Sequence, residues 1–566
     1  MANLDENNQG ESMELLGVIY GIGMNVNNII GVGIFTTPGI VWKQVKTPHV
    51  VILLWLAGGI VSLFGSLIYT EYGALHRDNG GEKIYLEKAY PSPPLMASYL
   101  FSFMFIFVIR PVIICAVLQS AAQYTWYMFV GTSPLDGDDK IDPLLNGWQN
   151  KFKPYWILKL IAIFFLLLIT GYHLLNRKLA NKINHGLAIT KMIVILVIAL
   201  GGISKYHNNE NWKKPLDDNS INTAVNSYPI AIIQILFSYN GWNTLNYSLD
   251  EFRNPEVKLK LSNISSIVIV TILYLLANVA FITALPSDVI TKTEHFNETI
   301  TADFFKSIFF DSNVAARVLS LFVVLSAVGT AATSVWSGSR VIVSAAKSNF
   351  FPIFSPQLVK WREREINQQG QRGENMRYTE YTPVNALLAQ LVWCIFIILI
   401  VGGSIQVDSF VLFTSIATFS VWIFYIVTSL GLVKTRKRYP GNPPFKVPRS
   451  IIHLFIVSGF LFIALSFVPD KESIHPYIVQ ISFILVSCIF LFIGFICYFG
   501  LFRQQQQPIQ PQQIQLQPIQ PQQIQPQQIQ QQQIQPQQIQ PQQIQPQQTQ
   551  QQQIQQQQIQ QQQTQQ

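Results

Sequence analysis

The sequence is short of charged residues. Asp, Glu, Lys and Arg make up 12% of its 566 residues, whereas soluble globular domains carry roughly 25%. Hydrophobic residues reach 49% even though the last roughly sixty positions are almost entirely Gln, Pro and Ile. A soluble chain of this length needs far more charge to cover its surface. The shortage argues against a soluble enzyme, a nucleic-acid-binding module and a disulfide scaffold, and it indicates a polytopic membrane protein with a low-complexity tail.

Cysteine is also scarce, and no basic leader begins the chain. The four cysteines, Cys115, Cys394, Cys488 and Cys497, lie in apolar runs without metal-ligand spacing, so we expect no metal and no cofactor. Residues 1–14 are polar and acidic, so the first apolar segment should be retained rather than cleaved. The net charge of +8 comes from basic residues scattered through short loops, so no nucleic-acid partner is expected.

Long apolar runs are abundant. A membrane-spanning helix needs about 20 mostly apolar residues, and continuous runs of this kind predict helices rather than a β-barrel. They lie near 15–40, 50–74, 95–130, 155–175, 183–203, 224–249, 263–285, 313–346, 383–403, 407–432, 451–469 and 477–502. The predicted fold class is therefore an all-α polytopic membrane protein with about 12 transmembrane helices.

The loops and tails predict the orientation. With the N-terminus inside, the inner loops carry about twice as many Lys and Arg residues as the outer ones, so both termini should be cytosolic. The sequon at Asn297 then falls in an outer loop as a glycosylation site. We predict a cytosolic tail over 1–14, a transmembrane domain over 15–502 and a disordered Gln/Pro/Ile-rich cytosolic tail over 503–566. The plasma membrane is the expected location, with an endomembrane as the alternative.

Two of the apolar runs are interrupted. The first contains Gly31-Val32-Gly33 followed by Pro38, and the sixth contains the polar stretch 237–247, which is too polar to face lipid. Gly-Val-Gly is also compatible with close helix packing. Interrupted helices in corresponding positions of two halves point to a transporter site, because half-helix N-termini attract a carboxylate and freed carbonyls accept from an ammonium group. Together they bind a zwitterion without a charged side chain.

Several motifs carry a family resemblance over about residues 15–500. The chain resembles the L-type amino-acid transporter branch of the amino acid–polyamine–organocation superfamily, which includes animal light chains and fungal methionine-permease-like proteins. The matching runs are Ile30–Phe35 with Thr37-Pro38, Tyr239–Asn243 through Asn246-Tyr247, Asp250-Glu251 and Asn254-Pro255, Ile109-Arg110-Pro111, Gly338-Ser339-Arg340, and Pro444–Pro448.

The resemblance implies a five-plus-five inverted-repeat fold with broken first and sixth helices and two further helices. It also implies a substrate site in the two breaks, with the carboxylate at Gly31, Val32 and Gly33. The amino group would lie near the carbonyls of Ile29, Phe237, Ser238 and Asn240, with Phe237 as an aromatic gate and Gly241 and Asn243 in the same site. Two departures, Val32 between the glycines and Asn240 where animal light chains tend to have Gly, leave side-chain selectivity open.

Lys191 is an isolated cation in the fifth apolar run. A Lys at a helix centre costs roughly 2.5–3.5 kcal/mol, so we expect it to have a partner, although it could also extend to water at the inner membrane surface. It resembles the lysine that takes the place of sodium in sodium-independent members. That likeness predicts neighbours among carbonyls near Gly31 and the hydroxyls of Thr333 or Ser334.

The expected function is a sodium-independent secondary transporter that moves neutral L-amino acids by alternating access, in a lipid bilayer. The alternatives are a proton-coupled permease for methionine or another hydrophobic amino acid, a cationic amino-acid or polyamine transporter, and a non-transporting amino-acid receptor. No pattern of catalytic residues recurs within the runs, so an enzyme is not expected. Animal light chains use an outer-loop Cys to bind a heavy chain. The corresponding loop, 131–153, contains no Cys, so no disulfide-linked heavy chain is expected.

Overall fold

A computed structural model provides the structure of most of the apolar part of the chain. It describes residues 18–76, 78, 80–131, 154–175, 177–205, 210–213, 228–247, 249, 255–286, 299–309, 312–360, 362–369, 375–400, 409–438, 445–468 and 476–503. The predicted tail over 1–14, all but the first residue of the tail predicted over 503–566, and the sequon at Asn297 lie outside these residues.

The described residues form a helical protein with one small sheet. The helices are α1 (Val18–Ile29), α2 (Gly33–Val45), α3 (Pro48–Leu75), α4 (Glu82–Ala89), α5 (Met96–Val130, with a π turn at Phe105–Ile109), α6 (Pro154–Leu175), α7 (Arg177–Ser204), α8 (Pro229–Ser238), α9 (Pro255–Ala284), α10 (Ile300–Ile308), α11 (Asn313–Lys347), α12 (Val384–Ile400), α13 (Ser409–Arg438), α14 (Arg449–Leu465) and α15 (Pro476–Cys497). Single helical turns lie at Glu210–Lys213, Thr244–Tyr247 and Ser355–Leu358.

Eight of the described helices are long and apolar enough to cross a membrane, which makes this a multi-pass helical membrane protein. They belong to α3, α5, α6, α7, α9, α11 and α13 and to the helical stretch Ile481–Phe502. Three further apolar helices, α8, α12 and α14, are only 10–17 residues long. The first predicted run, 15–40, is divided between α1 and α2.

The all-α prediction missed one feature. Strands β1 (Arg362–Gln369) and β2 (Asn375–Thr382) form an antiparallel hairpin between α11 and α12. Their residues are mostly charged and polar, so no alternation of apolar and polar residues distinguishes them from an ordinary loop. The hairpin lies outside the twelve apolar runs and leaves the prediction for those runs unchanged.

The helix α7 shows how the sequence divides lipid-facing from protein-facing residues. The apolar side chains exposed along it recur every three or four positions, which is the helical period. They are Ile189, Ile193, Leu196, Leu200 and Ile203. The opposite face carries Lys191, Ile195 and Ile198, all at most 1% exposed. Lys191 therefore points into the protein because the rest of its helix places an apolar stripe on the other side.

Helix packing brings the two interrupted runs together. The helix α9 packs against α1, α3 and α7, while α11 packs against α5, α7 and α1. Between these layers, α8 packs directly against α2. The break between α1 and α2 and the end of α8 are thus neighbours in the interior of the helical bundle.

Candidate functional site

The first break lies between α1 and α2, at residues 30–32. The N–H of Ile30 closes α1 by donating to the carbonyl of Val26 at 2.8 Å, and α2 begins at Gly33. The first N–H groups of a helix have no carbonyl one turn earlier to receive them. Val32, in the N-cap position, offers no side-chain cap. The start of α2 therefore presents N–H groups and the positive end of its dipole to the break.

The second break follows Ser238, where α8 ends. The N–H of Tyr239 still donates to the carbonyl of Ile235 at 3.1 Å, but the N–H of Asn240 donates to Phe237 at 3.0 Å, in a tighter turn. Gly241 then takes a φ of +107°, a conformation that residues with a Cβ rarely adopt. This turn ends α8 and leads into the single 3-10 turn at Thr244–Tyr247.

The two breaks are in direct contact. A Cβ on Gly33 would lie 2.8 Å from the Cα of Ser238, so only glycine permits this approach. One turn along α2, the hydroxyls of Thr37 and Ser238 lie 2.9 Å apart. The hydroxyl of Tyr274, on α9, lies 2.9 Å from the carbonyl oxygens of both Ile29 and Ser238. Tyr274 thus joins the end of α1 to the end of α8.

Asn28 forms a second junction between the breaks. Its amide nitrogen donates to the carbonyl of Gly241 at 3.2 Å and also contacts the hydroxyl of Thr244. Its amide oxygen accepts from the hydroxyl of Thr333, on α11, at 3.0 Å. One side chain at the end of α1 therefore links both breaks to α11.

A cavity opens between the breaks. The described lining residues are Asn28, Ile29, Gly31, Val32, Gly33, Phe105, Ile109, Arg110, Ile113, Val117, Phe237, Ser238, Asn240, Gly241, Asn243, Tyr247, Thr330, Ser334, Val421 and Tyr425. All nine residues predicted for the substrate site are among them. The structure therefore places two distant sequence motifs around one space.

Three of the predicted ammonium ligands already have hydrogen-bond partners. Tyr274 contacts the carbonyls of Ile29 and Ser238, and the carbonyl of Phe237 accepts from Asn240. A carbonyl oxygen has two lone pairs, so each retains one acceptor direction. The side-chain oxygen of Asn240 lies 3.3 Å from the hydroxyl of Tyr425, on α13.

Lys191 lies behind the first break and is 1% exposed. Its ammonium donates to the carbonyl of Asn27 and to the hydroxyl of Thr330, both at 2.7 Å. The sequence pointed to Thr333 or Ser334, one turn further along α11. Thr333 instead contacts Asn28, and Ser334 lines the cavity. All three hydroxyls recur at helical spacing on α11, so the sequence could not choose among them.

Two further charged side chains belong to the surroundings of the cavity, one in its lining and one bound to a lining residue. Arg110 lines the cavity, with its guanidinium 4.7 Å from the ring centre of Phe105. Glu82, at the start of α4, is fully buried, and its Oε1 accepts from the amide nitrogen of Asn243 at 2.5 Å. Its Oε2 has no hydrogen-bond partner among the described residues. Burial raises the pKa of Glu82, while the hydrogen bond from Asn243 acts in the opposite direction.

Comparison with known proteins identifies the family. The sequence profile described as "Amino acid permease" matches residues 16–496. The chain belongs to the amino acid permease family. It is 28% identical to the mouse (Mus musculus) b(0,+)-type amino acid transporter 1, over 87% of this chain and 90% of that protein. It is 23% identical to the high-affinity methionine permease of Saccharomyces cerevisiae, over 83% and 75% of the two chains. It is 25% identical to the rabbit (Oryctolagus cuniculus) large neutral amino acids transporter small subunit 2, over 76% and 72%.

Membership in the amino acid permease family settles the broad class. Proteins of this family are transporters rather than enzymes, and the chain is an amino-acid transporter embedded in a membrane through several helices. The resemblance noted in the sequence is therefore confirmed. At about 25% identity, the substrate and the coupling ion do not follow from the relatives.

Three residues of this permease site escaped the sequence analysis. Tyr274 and Thr330 lie in apolar runs where one hydroxyl carries no distinctive pattern. Glu82 follows Gly80-Gly81 between two apolar runs, where a carboxylate is usually exposed to solvent, but the structure buries it at the start of α4. Arg110, which the sequence analysis named only as part of a family motif, lines the cavity. For Glu82, the available sequence signal was a carboxylate directly after two consecutive glycines.

Proposed function

We propose that this permease moves neutral L-amino acids across the membrane by alternating access, without sodium. One observation carries the proposal: the two helix breaks and all nine predicted site residues line a single cavity. The start of α2 offers N–H groups to a substrate carboxylate. The carbonyls and amide side chain at the end of α8 offer acceptors to its ammonium group. The zwitterionic part common to all amino acids is thereby recognised mainly by backbone groups.

The cavity lining supports a neutral substrate side chain. Ile109, Ile113, Val117 and Val421 supply an apolar wall. Arg110 is the only charged residue among the described lining residues, and Glu82 lies within electrostatic range of it. None of the described lining residues is a carboxylate, so a cationic side chain would find no anionic partner in the lining itself. The names of the yeast and rabbit relatives, which mention methionine and large neutral amino acids, agree with this choice.

A substrate with an acidic side chain is the second candidate. It is favoured by Arg110 alone, whose Nε has no hydrogen-bond partner among the described residues. A substrate carboxylate in the cavity would accept a charge-assisted hydrogen bond from this Nε–H group. Uptake of glutamate in preference to leucine or methionine would select this candidate.

The proposed mechanism needs an element that holds the first break without sodium. Lys191 supplies a fixed positive charge between Asn27 of α1 and Thr330 of α11. We propose that it replaces a sodium ion structurally and that α1, α2 and α8 move relative to α11 during transport. The proposal includes twelve spans in a five-plus-five inverted repeat, both termini in the cytosol, a glycan at Asn297, the tails over 1–14 and 503–566, and no disulfide-linked heavy chain. We place the protein in the plasma membrane.

Uptake by proteoliposomes tests the proposal. The full chain is reconstituted, and accumulation of radiolabelled leucine, methionine, glutamate, lysine and spermidine is measured with and without sodium and pH gradients. Saturable accumulation of leucine or methionine that is unaffected by sodium is the expected result. Binding without accumulation would identify a receptor instead, and a strict requirement for sodium would overturn the role given to Lys191. Stimulation of uptake when the outside of the vesicle is more acidic than the inside would select the proton-coupled alternative.

A further inference from the structure

The last turns of α13 separate their basic residues onto two faces. Arg436 turns inward and pairs with the fully buried Glu71 of α3, with its Nε 2.7 Å from Oε1 and its Nη2 2.5 Å from Oε2. Lys434, Lys437 and Arg438 recur at positions i, i+3 and i+4, which share one side of a helix. All three are exposed. Arg436 therefore has a structural partner, whereas the other three cations face outward together.

These three cations meet a fourth across a second cavity. The cavity is lined by Lys88, Ala89, Tyr90, Pro91, Ser92, Lys434, Thr435, Lys437 and Arg438. Lys88 comes from the end of α4, so the basic residues converge from two elements. The ammonium of Lys434 lies 4.3 Å from the ring centre of Tyr90, and the guanidinium of Arg438 lies 3.4 Å from the carbonyl of Lys88. We call these residues the basic cavity.

The charge of the basic cavity is unbalanced among its described residues. Four cations line it and no carboxylate does. Cations are favoured at the C-terminal ends of helices, where α4 and α13 both finish, but that effect falls off within one turn and is weak at exposed positions. The helix dipole therefore accounts for one cation at the end of α4 and one at the end of α13. The repulsion that the remaining cations add is left uncompensated. A ligand with several negative charges would compensate it.

The position of the basic cavity on its helix indicates where that ligand comes from. Leu430, one turn before Lys434 on the same side of α13, is an exposed apolar residue on a helix long enough to span the membrane. An acyl chain can therefore lie along the helix below the cations while a headgroup reaches them. Basic pockets beside transmembrane helices bind phosphorylated lipid headgroups in this manner.

We propose that the basic cavity is a binding site for a membrane lipid whose headgroup carries more than one phosphate. The lipid would bridge the end of α4 to the end of α13. This inference goes beyond amino-acid transport and does not depend on the substrate or coupling ion proposed above.

The test measures lipid binding to the full chain in phosphatidylcholine nanodiscs. Fluorescently labelled phosphatidylinositol bisphosphate is titrated into the wild type, into the triple variant K434Q/K437Q/R438Q, and into a control triple variant K258Q/K347Q/R449Q. The control removes the same charge from three other helix ends outside the cavity. Elution as a single species on size exclusion and retained amino-acid uptake establish that each variant is folded.

Loss of three cations should weaken binding on the order of 100-fold, while the control variant should bind within about threefold of the wild type. Equal weakening by both variants would mean that surface charge alone attracts the lipid and would overturn the proposal. So would equally tight binding of soluble inositol trisphosphate, which would identify a soluble phosphate ligand, or of phosphatidylserine at matched total charge. Absence of saturable binding to the wild type would also overturn it.

Discussion

The two helix breaks both present polar groups to the cavity, but they do so with different backbone structures. The first, at residues 30–32, is short, has no residue with positive φ, and resumes at once as α2. The second extends over 239–243, needs Gly241 at a φ of +107°, and continues as a single 3-10 turn. The first break therefore presents backbone N–H groups at the start of an intact helix. The second presents carbonyls and amide side chains in an irregular turn.

The supports of the two breaks differ accordingly. Lys191 and Thr330 hold the carbonyl side of the first break through a charged donor. The second break is held by neutral hydrogen bonds from Asn28 and Tyr274 and by the contact between Asn243 and Glu82. The hydrogen bonds that support the first break come from one side chain, Lys191, whereas those that support the second come from three residues. We therefore expect the first break to be the more sensitive to loss of a single side chain.

The largest effect is expected from Lys191→Ala. The change leaves the carbonyl of Asn27 and the hydroxyl of Thr330 without their donor in a site that excludes water. Two hydrogen bonds from a charged group imply a loss of uptake of roughly 100-fold or more, with the protein still inserted in the membrane. Proteoliposome uptake measures the loss, and Lys182→Ala, at an exposed position of the same helix, is the control. Near-normal uptake by Lys191→Ala would remove Lys191 from the mechanism.

Gly33→Ala tests the contact between the breaks. The new methyl group would lie 2.8 Å from the Cα of Ser238, so α2 and α8 must separate. Overpacking of this kind costs about 1–3 kcal/mol, which predicts about a tenfold loss of uptake. Gly23→Ala, in α1, is the matched control, because a Cβ there meets nothing within 4 Å. Equal uptake by the two variants would show that close contact of the breaks is dispensable.

Tyr274→Phe should have a smaller effect, shared by both breaks. It removes the hydroxyl that lies 2.9 Å from the carbonyls of Ile29 and Ser238 and leaves the ring in place. Loss of about 1 kcal/mol corresponds to roughly fivefold weaker apparent affinity, measured as the substrate concentration for half-maximal uptake. The control is Tyr172→Phe, whose hydroxyl contacts Asn184 away from the cavity. An increase in affinity would instead mean that Tyr274 competes with the substrate for these carbonyls.

The smallest effect is expected from Glu82→Gln, and it should appear as a pH dependence. Burial raises the pKa of Glu82, so the folded state binds the proton more tightly than the unfolded state. The free energy of unfolding contributed by Glu82 therefore decreases as pH rises from the ordinary carboxyl value through the raised pKa. Glu82→Gln should flatten this slope in thermal unfolding measured at several pH values. An unchanged slope would show that Glu82 does not titrate within that window.

Much of the fold follows from the sequence because lipid imposes simple rules. Every backbone polar group must be satisfied within its own helix, so long apolar runs predict spans and polar or glycine-rich interruptions predict breaks. Gly31, Gly33 and Asn240 were identified in this way. The hairpin of β1 and β2 and the burial of Glu82 follow no such rule, because both lie in segments between the apolar runs, where packing depends on distant residues.

What the sequence determined by itself is the membrane class, the positions of the two breaks and the face of α7 that carries Lys191, because each depends on residues within one helix length. What only the tertiary structure decided is which residues complete them. Thr330 rather than Thr333 or Ser334 accepts from Lys191, and Tyr274 contacts the carbonyls of both Ile29 and Ser238. These choices depend on how α11 and α9 are rotated and shifted relative to α1. Residues three or four positions apart lie on the same face of a helix, so periodicity alone does not say which of them makes the contact.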